Sequence, residues 1–363
     1  MKTRHAFTLV EILTVVAIIG ILAAIVTVAV AAAMGAAKRA QIATTMSHAA
    51  MGLERYKAEI GEYPPDFYDD EALIRHVRKR WPRFELPQGT AQDVAPQLRL
   101  AMSYVYHNVD VYPPELTKEW YGRIPMATDV GLNNYAADIS ALTIWLGGFP
   151  NREGRFEGFS ADPEAPFGRD INGRINRGND GSGLDTNSVQ IGTPDKKVFM
   201  ELEVNKNVFF FNFERGGTAL APCLGTKSGS TILPIVYFRG NAGGGAGAYY
   251  ATKNPPSHPP GPVKLYNFGT NVSATGAAPG NVWSDCGVVV PYAKSGTYNA
   301  NLPVSTIVWN NATTYQLIHP GLDGKFGVGT DVRVIGSGDN VGLLDLDNLT
   351  NFSDYRELKS ILP

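Results

Sequence analysis

From Ile12 to Ala37 the chain carries no charged residue, and only Thr14, Gly20, Thr27 and Gly35 interrupt a run of Ala, Val, Ile, Leu and Met. As a helix rising about 1.5 Å per residue the run would be about 40 Å long, more than the roughly 30 Å of a bilayer core. One segment can therefore span a membrane, and the rest of the fold has to be arranged around it. Ahead of it stand Lys2-Thr3-Arg4-His5-Ala6 and then Phe7-Thr8-Leu9-Val10-Glu11.

Three readings compete for this start. A cleaved secretory signal has a basic head, an apolar stretch of about 7 to 15 residues and small residues before the cut, which Ala31-Ala32-Ala33 supply. The run is longer than that, and a carboxylate heads it. A plain anchor accounts for the length, with Lys2 and Arg4 holding the start in the cytoplasm. It gives no role to Glu11, which costs up to about 3 kcal/mol if drawn unpaired towards the bilayer centre. No basic residue follows within the next few helical turns. The third reading takes the partner from another subunit: a cut between Ala6 and Phe7 creates an amine that a neighbour's Glu11 can neutralise in a low-dielectric bundle.

A short basic leader followed by Phe7-Thr8-Leu9-Val10-Glu11 and a long apolar helix resembles the class III signal of type IV pilins and type II secretion pseudopilins. The resemblance implies that prepilin peptidase removes residues 1–6, that Phe7 becomes the N-methylated first residue, and that Glu11 serves filament assembly. It implies as partners further copies of the chain, other pilin-like subunits and an inner-membrane assembly platform. The residue before the cut is Ala6, where the family usually has glycine.

With 363 residues, about 300 remain beyond the helix, enough for one large or two small cores. A net charge of -2 argues against a general nucleic-acid or anionic-lipid binder, so no nucleic-acid partner is expected. Charged residues are 18%, against 39 Gly and 24 Pro, which suits a loop-rich extracytoplasmic head with strands. Cys223 and Cys286 would meet an oxidising compartment there; a disulfide between them and a pair of buried thiols are the two alternatives.

From Lys38 to Ile60 the helix turns amphipathic, with Ile42, Met46, Ala49, Leu53, Tyr56 and Ile60 at three- and four-residue spacing, and Gly61 followed by Pro64-Pro65 stops it. The Gly-Glu-Tyr-Pro-Pro at 61–65 resembles the equivalent junction of the major type II pseudopilin. Asp69–Trp81 predicts a second helix, with Leu73, Ile74, Val77 and Trp81 on one face. Its Arg75, His76, Arg78, Lys79 and Arg80, with Arg83, form the densest basic cluster in the chain. Phosphate binding is one reading; a solvated helix with acids at its start and bases at its end, matched to the dipole, is the one adopted.

Val94–His107 and Tyr135–Leu146 predict further helices, and 149–193 a polar, turn-rich stretch. Strands are expected at Val198–Val204, Val208–Phe213, Ile232–Phe238, Val288–Tyr292, Thr306–Trp309 and Tyr315–Ile318, and a loop-rich region at 240–262 whose Asn241–Gly247 and Pro255–Pro262 read as exposed loops. In the tail Asp345 and Asp347 either extend a metal site or form Asx turns, the reading adopted, and Ser353 is expected to cap a short helix.

After Tyr315–Ile318 comes His319-Pro320-Gly321-Leu322-Asp323-Gly324-Lys325-Phe326-Gly327-Val328-Gly329-Thr330-Asp331. Asp323 and Asp331, in a loop whose carbonyls can turn inward, can hold a hard cation; as a bare turn, Asp-Gly needs no metal. The run also resembles the C-terminal calcium loop of major pseudopilins, which implies calcium at Asp323 and Asp331, though only one acid follows the glycines here.

No HExxH, GxSxG, Walker A or CxxC occurs, and the six histidines are scattered, so no catalytic role is expected. The expectation is an α+β protein: leader 1–6, membrane and assembly half-helix 7–37, amphipathic half-helix 38–61, and a pilin-like head 62–363 with an antiparallel sheet and a large insertion. Its function is that of a structural subunit of a secretion pseudopilus or pilus, inserted in the inner membrane with its head in the periplasm. The alternative is an adhesive or ligand-binding head displayed by the same anchor.

Overall fold

Helix α1, Leu9–Ile60, presents two different surfaces along its 52 residues in the computed structural model. The structure describes residues 9–107, 135–151, 153–212, 220–228, 231–241, 243, 248–249, 264, 266–267, 286–296, 307–327, 333–335 and 346–361. Over its first half the large apolar side chains stand open on every side. From Ile42 onward the three-to-four spacing takes over, and Ile42, Met46, Ala49, Leu53 and Tyr56 are buried against the head. Gly61, at φ 87°, closes the helix as the spacing predicts, its N–H donating to the Lys57 carbonyl at 2.7 Å.

Helix α2, Asp70–Arg80, is capped by Asp69, whose carboxylate accepts from the Ala72 N–H at 3.0 Å. Helix α3, Ala91–His107, starts earlier than the apolar pattern suggests because Thr90 and Asp93 cap it: Asp93 Oδ2 accepts from both the N–H and the hydroxyl of Thr90. Helix α4 is Tyr135–Gly147. One apolar core joins the upper half of α1 to α2, α3 and α4, with Trp145 fully buried among Tyr56, Phe67, Trp81 and Phe159.

The strands form several small sheets. The first is ordered β1-β2-β3, with β1 Val208–Asn212, β2 Leu220–Ser228 and β3 Thr231–Pro234, all antiparallel. The sequence pattern missed β2, whose Leu-Ala-Pro-Cys-Leu-Gly lacks the β-branched signature; cross-strand partners override its propensity. The expected strand at 232–238 divides at Ile235, whose N–H turns to the Leu224 carbonyl at 2.8 Å. Beyond it, β4 Val236–Arg239 joins another sheet, in which β9 Tyr315–His319 pairs antiparallel with both β4 and β11 Leu349–Thr350.

Short strands β5 Tyr266–Asn267 and β6 Val288–Val289 pair with each other. Strand β7 Tyr292–Ser295 lies between β8 Val308–Trp309 and β10 Arg333–Val334, and its pairing with β10 is parallel rather than antiparallel. These strands enclose a second core.

Two expectations need correction. Val198–Val204 is not a strand: the Phe199 N–H donates to the Leu146 carbonyl at the end of α4, and only isolated bridges involve Glu203 and Val204. Ser353 does not cap a helix; Thr350 does, and Ser353 is the third residue of a single 3-10 turn, Asn351–Ser353, closing a capping box back to Thr350.

Candidate functional site

The first functional element is the open half of α1. Leu9 is 81% exposed, Ile18 51% and Val28 72%, a large apolar surface that the chain itself does not cover and that would be costly in water. This half is long and apolar enough to cross a membrane. Glu11 stands near its start within that surface. Ala6 and Phe7, the expected processing residues, lie outside the described residues.

The second is the joint between α1 and the head, held by a chain of polar groups of which the helical spacing marked Tyr56 as inward-facing. Tyr56, fully buried on α1, lies 2.6 Å from His76 Nε2, and His76 Nδ1 lies 2.9 Å from Glu62 Oε1. Glu62 also accepts from Arg239 Nη2 at 3.1 Å. Next to it, Asp66 Oδ2 accepts from the Arg239 N–H at 2.9 Å and from Lys264 Nζ at 2.7 Å. A carboxylate on Nδ1 fixes the imidazole tautomer, so His76 Nε2 accepts from the Tyr56 hydroxyl, which in turn accepts from Arg80 Nη1 at 2.8 Å.

The electrostatics agree with that assignment. Burial holds His76 down to about 4 against the pull of Glu62, so the ring is neutral at pH 7. The hydrogen bond from His76 draws Glu62 down to about 2. Burial pushes Tyr56 up to about 12. A phenol this weakly acidic and closed to solvent is a hydrogen-bond donor, not a nucleophile, although acid, imidazole and hydroxyl stand in line.

His76 is thus no part of an exposed basic face. Its spacing with Leu73 and Val77 carried the signal, because Leu73, His76, Val77 and Arg80 share the inward stripe. Arg80 is caged by rings, with its guanidinium 4.5 Å from the centre of Phe159 and 4.8 Å from that of Trp81.

The third element is the C-terminal loop. It rests on α1 just beyond the apolar half, where Leu322 reaches Gly35 and Arg39 Nε bonds Glu357 Oε1 at 2.5 Å. Asp331 lies outside the described residues. Asp323 meets instead Asp347, one of the two tail acids read as a metal-site extension or an Asx turn. Asp347 Oδ2 accepts from the N–H groups of Leu322 and Asp323, at 2.7 and 3.0 Å, while Asp347 Oδ1 is buried without a hydrogen-bond partner. Asp323, exposed as a residue, has its carboxyl pushed up to about 6, first by lost hydration and then by Asp347. No cluster of three or more metal-ligating side chains occurs among the described residues.

Cys223 and Cys286 are both buried, and no disulfide joins them in this structure. Each packs as a small apolar group in the second core, and Cys223 Sγ donates to the Leu224 carbonyl at 3.1 Å.

A family model, the prokaryotic N-terminal methylation motif, matches residues 1–27. Comparison with curated proteins gives no match, and comparison with solved structures gives none. The motif match supports a type IV pilin-like or pseudopilin-like protein, and the long apolar helix followed by an α+β head agrees with a pilin-like fold. It implies processing by prepilin peptidase and assembly with other pilin subunits.

Proposed function

From this pilin-like N-terminus we propose that the chain is a structural subunit of a type II secretion pseudopilus or a type IV pilus. The observation that carries the reading is the divided helix: one continuous α1 whose first half is bare and apolar around Glu11 and whose second half is built into the head. Such a helix holds the subunit in the inner membrane with its head in the periplasm. There the head stays soluble while the bare half waits to exchange lipid for the helices of other subunits. Cleavage before Phe7 supplies the amine, and the Glu11 of a neighbour neutralises it in the bundle, where a low dielectric strengthens the pair. Prepilin peptidase, an assembly platform and further pilin-like subunits are its partners, and the head does no chemistry.

Calcium fits the C-terminal loop through the orphaned Asp347 Oδ1 and the Asp323 carboxyl beside it, a pair of hard oxygen donors. Asp331 is a further candidate ligand. These residues would clamp the loop against α1.

Complementation with Glu11→Ala tests the assembly reading. Subunits stranded in the membrane fraction, with filaments or secretion lost, are expected; unchanged filaments and secretion would contradict it.

A further inference from the structure

Among the contacts between α1 and the head is the buried one between Tyr56 and His76, at 2.6 Å. Tyr56 comes from α1, Glu62 from the turn after it, His76 and Arg80 from α2, and Arg239 from β4, while Trp145 of α4 packs edge-on against the imidazole at 4.9 Å. Both ring nitrogens are in use. Nδ1–H donates to Glu62, and Nε2 accepts from a phenol whose oxygen already holds Arg80.

We propose that His76 is an acid-sensitive latch that fastens the assembly helix to the head, closed while the imidazole is neutral and opened when Nε2 gains a proton. A protonated Nε2 becomes a second donor on a phenol oxygen that already accepts from Arg80, and it can no longer take the phenol's hydrogen. The Tyr56 hydrogen then loses the acceptor it had, and a new positive charge stands beside Arg80 and Arg239, with Glu62 opposing them among the described residues. A buried ring in that position has no water to turn to. The weakest response is for α2 to swing away from α1 at Tyr56, leaving the apolar half of α1 unaffected.

The consequence for a filament rests on α1 being the assembly helix: a subunit in acid would keep its place in the bundle and loosen its head. The latch itself does not depend on assembly, and its test is made on the full chain in detergent.

The histidine Cε1–H resonances are followed from pH 3 to 8. His76 is expected to titrate near 4. Tyr56→Phe, which removes the donor to Nε2, should raise that midpoint, and Glu62→Gln, which removes the carboxylate favouring the cation, should lower it. Pepsin digestion at pH 4 reads the opening: cleavage within Asp70–Arg80 is expected in the parent chain and should fall several-fold in His76→Gln, which keeps both hydrogen-bonding roles but cannot gain the proton. An ordinary midpoint near 6.5, or equal cleavage of parent and His76→Gln, would overturn the latch. If His76→Gln does not fold, the opposite shifts in the other two variants decide: both present supports the latch, either absent refutes it. Neither result bears on whether Glu11 drives assembly.

Discussion

Asp66 and Lys264 form an ion pair at 2.7 Å with both side chains 2% exposed, 198 residues apart in sequence. Such a pair holds only while both partners are present. Lys264→Met should cost about 3 to 5 kcal/mol by leaving a buried carboxylate, and adding Asp66→Asn should recover part of that loss. Urea unfolding of the full chain in detergent measures both; equal stability of parent and Lys264→Met would refute the assignment. Gly321, at φ 69°, is approached so closely by the Asp347 carboxyl and carbonyl that a Cβ would collide with them. Gly321→Ala should cost about 1 to 3 kcal/mol from the backbone alone and open the C-terminal loop, read as loss of protection of the Leu322 and Asp323 amides in hydrogen exchange.

Little at this scale was legible beforehand. Asp323 carries an acid's signature in any loop, but its partner Asp347 is set by a turn that only folding brings near. Arg239 and Lys264 carry no pattern at all, since a charged residue at the end of a strand reads as solvent-facing until its acceptor is known.

At the scale of elements, periodicity worked wherever a helix buries one stripe. The stripe Ile42, Met46, Ala49, Leu53 and Tyr56, and the stops at Gly61 and after α2, follow from spacing and capping chemistry. Leu53→Ala should therefore cost about 2 to 5 kcal/mol of head stability, while Leu22→Ala on the bare half of α1 should leave head unfolding unchanged. A comparable loss in both would mean that the two halves are not distinct. Strand prediction failed where partners decide: β2 is made by its neighbours, Val198–Val204 is claimed by the end of α4, and Ile235 splits a strand by bonding sideways. Ser353 was misread because a capping box and a simple cap share the same residue types, and position within the turn separates them.

Over the whole molecule, stability should fall in acid. His76, held to about 4, and His319, held to about 3 by burial, both lie below the usual 6.5. Each contributes stability that is complete above about 6.5 and is lost as pH drops through its folded value. Glu62, drawn to about 2, adds stability present above about 4.5 and lost as pH falls through 2. Asp323, pushed up to about 6, opposes them between pH 6 and 4, one carboxyl against two imidazoles. Urea midpoints at pH 7, 5 and 4 should decline; a higher midpoint at pH 4 than at pH 7 would contradict these assignments.

The organisation of the chain, an apolar helix that anchors and a head that rides on it, was readable from residues 2–65 because membrane length and helical spacing are both written in local sequence. The head was not, since its sheets are built from non-local pairs. Whether that helix is a processed pilin-type helix is read from the intact mass of the chain purified from membranes. A species beginning at Phe7 and carrying one added methyl group is expected. A chain that keeps residues 1–6 would contradict it and leave α1 as a plain anchor.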